Sequence, residues 1–341
     1  MPQWPGLTPT DRPLVEEHDV AVLDLDGVVY VGPDAVPGAP GHLATARDAG
    51  MRLAYVTNNA SRTPADVAAH LRDLGVDVAD EDVVTSAQAA ARLLGDQLPA
   101  GSPVFLIGGR GLEIALTEQG LRPVQDVSAD PVAVASGFSA DLRWGTVIAG
   151  AILVRRGLPW IASNTDLTVP TPDGPGPGNG ALVGVVARFA GRDPVVAGKP
   201  ESPLFEETLR RVGGSRPVVV GDRLDTDIEG ATRVGWRSML VMTGVTDLEA
   251  LVAAAPELRP SYLGADLGAL ANSQPRVKVE GGTAGCGGWR AGVTDGALVV
   301  DGGGDTHDWW RVVAVAGWHH LDRTGGPADV SRLRAPTAST R

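Results

Sequence analysis

Eight short apolar runs recur along the chain, at 20–23, 53–56, 103–107, 132–136, 158–162, 181–186, 217–220 and 238–242, with Ala/Leu/Arg-rich helical segments between most of them. Runs this short suit buried strands. Their alternation with helices predicts α/β layering around largely parallel sheets. Helices are expected near 40–49 and 64–74, the second with a proline in its opening turn. A length of 341 residues predicts two or three compact units with room for real cores.

Two stretches break this rhythm. Val169–Gly180 holds four prolines and four glycines and is expected to be a long, shaped loop, Pro172 and Asp173 included. Residues 271–288, with Gly281-Gly282 and Gly287-Gly288, read as a linker to a third module. Residues 1–18, with four prolines, read as a loose lead-in.

With 29 basic and 41 acidic residues the formal charge is −12, a field that repels nucleic-acid backbones and anionic membranes. An anionic substrate therefore needs local cationic help. The lone Cys286 excludes an internal disulfide, no apolar run approaches a membrane span, and the N-terminus lacks a secretory pattern. Cytoplasmic localisation is the expectation.

Four of the polar segments that follow these strands carry chemistry. In Leu23-Asp24-Leu25-Asp26-Gly27 two carboxylates two residues apart share one face at the end of a strand. Gly27 permits the sharp turn there. Alone, such a pair is equally a strand running into a polar turn. Tyr55-Val56-Thr57-Asn58-Asn59 ends a second strand in a hydroxyl and two amides able to meet phosphate oxygens, although an Asx turn reads the same way. Gly198-Lys199-Pro200-Glu201 sets a cation beside a helix start, or else a solvated surface lysine. In Val220-Gly221-Asp222-Arg223-Leu224-Asp225-Thr226-Asp227, three acids beside a buried strand call for a cation. Mg²⁺ fits because it takes oxygen ligands and bridges carboxylates to phosphate. Asp225 or Asp227 as a plain helix cap stays open.

Taken jointly and in this order, the four segments resemble the haloacid-dehalogenase-like (HAD) hydrolases over about residues 19–270. The resemblance implies a Rossmann-like parallel-sheet core (19–84 and 190–270) with an inserted α/β cap (85–189), followed by a small α+β C-terminal module (289–335). It implies Asp24 as nucleophile, Asp26 as general acid and base, and Thr57, Asn58 and Lys199 as phosphate ligands. Mg²⁺ would be held by Asp24, Asp222 and the backbone carbonyl of Asp26, with Asp227 supporting them. Asn58-Asn59-Ala60-Ser61-Arg62 and the cap-sized insertion resemble the branch with NagD and p-nitrophenylphosphatase-like enzymes. Asn164-Thr165-Asp166 leading to Pro177–Ala181 resembles that branch's cap-to-core signature. Asn59, Arg62, Asn164 and Asp166 are candidates for leaving-group contact, and each is equally a structural residue. A cap over the site favours a small phosphorylated metabolite. Leu106-Ile107-Gly108-Gly109-Arg110-Gly111 lacks a dinucleotide or P-loop spacing and reads as a tight strand-to-helix turn.

Four of the eight tryptophans, Trp289, Trp309, Trp310 and Trp318, fall in the tail. Thr294-Asp295-Gly296 predicts a hairpin, and 306–321 a helix with apolar groups on more than one side. The tail's position resembles that in actinobacterial glycerol-3-phosphate phosphatases with an acetyltransferase-like C-terminal region, so glycerol 3-phosphate leads among phosphoglycolate, pyridoxal phosphate, sugar phosphates and nucleotides. Packing, regulation or a homo-oligomer contact suits the tail better than catalysis. The rival from another class is a phospho-accepting, receiver-like signalling module, against which the insertion and Asp26 argue.

Overall fold

The computed structural model describes residues 6–171 and 174–336. The chain falls into two compact units, Met1–Leu53 with Gly214–Arg341, and Ala54–Gly213.

The first unit carries four parallel strands in the order Tyr262–Gly264, Arg237–Val241, Pro217–Gly221, Val20–Leu23. Val20–Leu23 is buried at every position, which is why its run is continuously apolar rather than alternating. Its register against Pro217–Gly221 pairs Leu23 with Val220, so Asp24 and Asp222 leave neighbouring strands at the same, carboxyl end. The backbone N–H of Asp24 still donates to the Val220 carbonyl at 2.8 Å. That end is where ligands bind in open α/β sheets.

The C-terminal module begins earlier than the glycine pairs suggest. Strands Lys278–Glu280, Thr283–Cys286, Trp289–Thr294 and Ala297–Gly302 form one antiparallel sheet, covered by the helix Thr306–Thr324. Two of these strands lie inside the segment expected to be a linker. The hairpin at Thr294 turns on Asp295 and Gly296, both at positive φ (50° and 81°), a two-residue turn matched to strand twist. The long helix is capped by Asp305, whose side chain accepts from the His307 N–H, and ends on a left-handed Gly325. Trp309, Trp310, Val312, Val313 and Trp318 are all buried, in one cluster with Leu240 and Leu263 of the parallel sheet and Val252 of the helix Leu248–Val252. The tail therefore completes the first unit's core.

The second unit holds a five-stranded parallel sheet in the order Val195–Val196, Trp160–Ala162, Ala133–Ser136, Pro103–Ile107, Arg122–Val124. The strand Arg52–Thr57 enters this unit at Ala54 and pairs in parallel with Val83–Thr85. The helix Pro64–Asp73 is closed by a capping box of Thr63 and Asp66.

Two expectations fail here. Residues 181–186 are not a strand but part of the helix Asn179–Ala190, with Val183 and Val186 buried and Val185 46% exposed, a helical rather than alternating rhythm. Short apolar runs do not by themselves separate the two. The Pro/Gly stretch is not irregular either, because Thr168–Thr171 and Gly174–Pro177 pair as an antiparallel ribbon. With only two strands, each has an outer edge where a proline costs no ladder bond. The turn residues Pro172 and Asp173 lie outside the described residues. Among the described residues no helix is long and apolar enough to cross a membrane.

Candidate active site

In the first unit, Asp24, Asp222 and Asp227 each bring a carboxylate oxygen to within 4.8 Å of the others. Asp222 and Asp227 are wholly buried, and Asp24 is half-buried. The segment after Pro217–Gly221 winds as a π-helical turn, Leu224–Ile228, which brings Asp227 back under the strand end. There Asp227 accepts from the Arg223 N–H at 3.1 Å. Asp225 goes elsewhere, paired at the surface with the Arg223 guanidinium at 2.8 Å.

Asp222 is oriented by a loop the sequence reading gave no role. Its carboxylate accepts the Val245 N–H at 2.6 Å, and its carbonyl accepts the Thr246 hydroxyl at 2.5 Å. Gly27, at φ +85°, and Gly244 both face this carboxylate so closely that a Cβ on either would overlap it. The available signal was a third strand end, Val241 running into Met242-Thr243-Gly244. Three carboxylates this close, two without water, repel one another strongly unless a cation neutralises them. An all-oxygen anionic donor set fits a hard divalent cation.

Asp26 lies beside the cluster and is exposed. Partial desolvation first, and the Asp24 carboxylate second, push its carboxyl above the ordinary carboxylate range. The group thus tends to keep a proton that it can donate.

In the second unit, Asn58 organises the strand end. Its Nδ2 donates to the Asp166 carboxylate and to the Lys199 carbonyl, both at 3.1 Å, and its Oδ1 accepts the Lys199 N–H at 2.8 Å. With both side-chain donors used, only its backbone N–H is left for an anion. Its own carbonyl accepts from Ser86 Oγ and Asn164 Nδ2, each at 2.6 Å. Lys199 is held in this network, 3% exposed. Gly198 must be glycine, since a Cβ would stand 2.5 Å from Asn58 Oδ1 and 2.6 Å from the Ser163 carbonyl.

Thr57 Oγ1 accepts the Asn59 N–H at 3.0 Å, and Asn59 Oδ1 accepts from the Ser61 amide and hydroxyl at 2.9 and 2.7 Å. Asn59 and Arg62 are both exposed. Asn164 is 3% exposed and receives the Asp166 N–H on Oδ1, while its carbonyl accepts from Asn179 Nδ2 at 2.7 Å. Asn164, Asp166 and Asn179 thereby knit the 163–180 segment to the strand end carrying Thr57. Sequence reasoning assigned no role to Ser86 and read Asn179 only as part of the Pro177–Ala181 signature. The glycines at 108–111 form a strand-to-helix turn, with Gly111 at van der Waals overlap distance from Ala60 and Arg62 carbonyls for any added Cβ.

Comparison with known proteins matches the haloacid dehalogenase-like hydrolase family model at residues 21–122 and a HAD-hydrolase-like model at residues 196–270. The chain is 42% identical over 297 residues to the D-glycerol 3-phosphate phosphatase of Mycobacterium tuberculosis, covering 87% of this chain and 82% of that protein. An acid sugar phosphatase of Staphylococcus aureus is 36% identical over 237 residues, 69% of this chain and 90% of the relative. Among solved structures, the M. tuberculosis glycerol phosphate phosphatase in complex with magnesium superposes with a TM-score of 0.81 at 41% identity, over 90% of this chain and 92% of that one. The Thermotoga maritima 4-nitrophenylphosphatase gives 0.70 at 31% identity, over 76% and 98%.

Proposed function

The chain belongs to the haloacid dehalogenase-like hydrolases and is a phosphatase of that family, and we propose that it hydrolyses glycerol 3-phosphate through an aspartyl-phosphate on Asp24. The observation that carries the chemistry is the clustering of Asp24, Asp222 and Asp227 at one strand end, with Asp26, its carboxyl pushed above the ordinary range, beside them. Substrate choice leans on the length of the similarity. The match to the glycerol 3-phosphate phosphatase spans 297 residues, more than the whole of 19–270, whereas the match to the acid sugar phosphatase spans 237.

Asp24, Asp222 and the Asp26 backbone carbonyl would hold Mg²⁺, with Asp227 supporting Asp222 and Asp24. When bound, the ion supplies positive charge that lets an anionic nucleophile approach an anionic phosphate. An Asp24 carboxylate oxygen attacks phosphorus, forming the O–P bond as the bond to the glycerol oxygen breaks. Asp26 gives its proton to that leaving oxygen, releasing glycerol. The resulting Asp26 carboxylate then takes a proton from water, whose oxygen attacks phosphorus and returns Asp24 as a carboxylate with inorganic phosphate. A bound cation would offset the Asp24 charge, so partial burial is the contribution that still favours the protonated form of Asp26. Thr57, the Asn58 backbone N–H and Lys199 are assigned to the phosphate oxygens, the role the family motifs give those positions. Residues 85–189 are assigned as the cap, and Asn59 and Arg62 as the exposed candidates for the leaving group.

Phosphate release measured across glycerol 3-phosphate, phosphoglycolate, pyridoxal phosphate and sugar phosphates, with and without Mg²⁺, tests this reading. Glycerol 3-phosphate is expected to have the highest kcat/KM, and turnover to vanish with chelator. A sugar phosphate in first place would reassign the substrate while leaving the chemistry intact. Asp24→Asn that retained wild-type turnover would overturn the nucleophile.

A further inference from the structure

A cavity of about 250 Å³ opens in the first unit, away from the carboxylate cluster. It lies where the segment from Gly6 to Pro9 meets residues 274–279 and the helix Thr306–Thr324. Its lining combines apolar Leu7, Pro9, Val277, Val315 and Trp318 with the cationic Arg259, Arg276 and Arg311 and a single carboxylate, Asp322.

Two of these charges are already balanced. Arg259, 6% exposed, forms a two-pronged pair with Asp322 at 2.6 and 2.8 Å and lies 5.3 Å over the Trp318 ring. Arg311, 2% exposed, is paired with Asp308 and donates through Nε to Gln274 Oε1 at 3.1 Å. Arg276 is exposed and makes no hydrogen bond or ion pair among the described residues. The cavity thus keeps a net positive charge on a chain of formal charge −12.

Gln274 supplies the second observation. It is 2% exposed, and the Arg311 bond fixes which end of its amide is oxygen. Its Nε2 is buried without an acceptor. Buried amide donors are nearly always satisfied by protein, water or ligand. A built pocket with a buried unused donor, an unbalanced guanidinium and apolar lining residues is complementary to a small oxyanion on an apolar body.

We propose that this cavity is a second binding site, for a small organic carboxylate whose charged end meets Gln274 and Arg276 and whose apolar body lies on Val277, Val315 and Trp318. Its volume is below that of drug-sized sites, so the ligand is fragment-sized. The site needs neither Asp24 nor the phosphate ester, and stands apart from the reading of the active site.

Titration of the full chain with benzoate, followed by calorimetry and ligand-observed NMR, tests the proposal. Saturable binding is expected. Arg276→Gln should weaken it about tenfold, the worth of one charge-assisted contact. Val315→Trp should abolish it by filling the cavity, and benzyl alcohol should bind about tenfold more weakly than benzoate for lack of charge. Retained glycerol-3-phosphate turnover and an unchanged unfolding midpoint for Arg276→Gln show that the fold is intact. Absence of saturable benzoate binding would overturn the proposal, as would binding unaffected by both substitutions. Equal affinity for benzyl alcohol, or displacement of benzoate by inorganic phosphate alone, would overturn the carboxylate assignment.

Discussion

At the residue scale, carboxylates that serve a cation are a liability without it. Asp222 and Asp227 are wholly buried beside Asp24, so metal-free protein carries their mutual repulsion in its folded state alone. Asp222→Asn is therefore expected to raise the unfolding midpoint in chelator while abolishing both turnover and the Mg²⁺-induced rise in that midpoint. Calorimetry with and without the ion checks this, and a lowered midpoint in chelator would contradict it. Gly198 tests the other unit. A Cβ there meets Asn58 Oδ1 and the Ser163 carbonyl, which displaces the backbone that carries Lys199. Gly198→Ala should lower kcat about a hundredfold, the scale of an ångström-sized misplacement, with a smaller change in KM. The closeness of Asp24 and Asp222 was legible from the sequence because each ends an apolar strand in a short acidic motif. Asn164, Gly244 and Val245 act through hydrogen bonds or packing to residues far along the chain, so nothing local named their partners.

Among the elements, the hairpin at Thr294-Asp295-Gly296 and the proline-opened helix Pro64–Asp73 were the most readable. Thr63 with Asp66 closes the helix Pro64–Asp73 just after the strand end that carries Thr57. Removing the cap with Thr63→Ala should cost about 1 kcal/mol, read as a lower denaturant midpoint with an unchanged slope. The run at 181–186 was legible as apolar but not as a helix with one exposed face, because its environment supplies the period. Nothing local foretells the π-helical turn Leu224–Ile228 either, although it separates the roles of Asp225 and Asp227: one at the surface with Arg223, one in the carboxylate cluster.

For the whole molecule, the tail matters most. The helix Thr306–Thr324 shares one apolar cluster with Leu240, Val252 and Leu263, and a Cβ on Gly317 would stand 2.6 Å from Val252. A chain ending at Asn272 is expected to lose cooperative unfolding or fall into aggregates, not to yield an active core and a dispensable tail. Solubility and the calorimetric transition decide between these outcomes. The same junction is pH-sensitive. His307 Nδ1 accepts the Ala265 N–H at 2.9 Å, and burial holds its imidazole below the usual value near 6.5 despite Asp266, Asp305 and Asp308 nearby. His18 is lowered too, again by burial. The unfolded chain thus binds protons on these rings that the folded chain refuses. Their contribution is fully present above about pH 6.5 and is lost as pH falls through the depressed folded values. The unfolding midpoint should drop between pH 7.5 and 5.5, and His307→Asn should flatten that slope.

By itself the sequence determined the alternation of buried strands and helices, the four motif-bearing strand ends and the acid density that calls for a cation. These are local in the chain, set by side-chain period and charge within a few residues. Only the tertiary structure decided how Asp227 reaches the cluster, which amides serve as scaffold and that the tail completes the core. Each of these depends on partners tens to hundreds of residues away, brought together by parallel crossovers that short-range pattern does not encode.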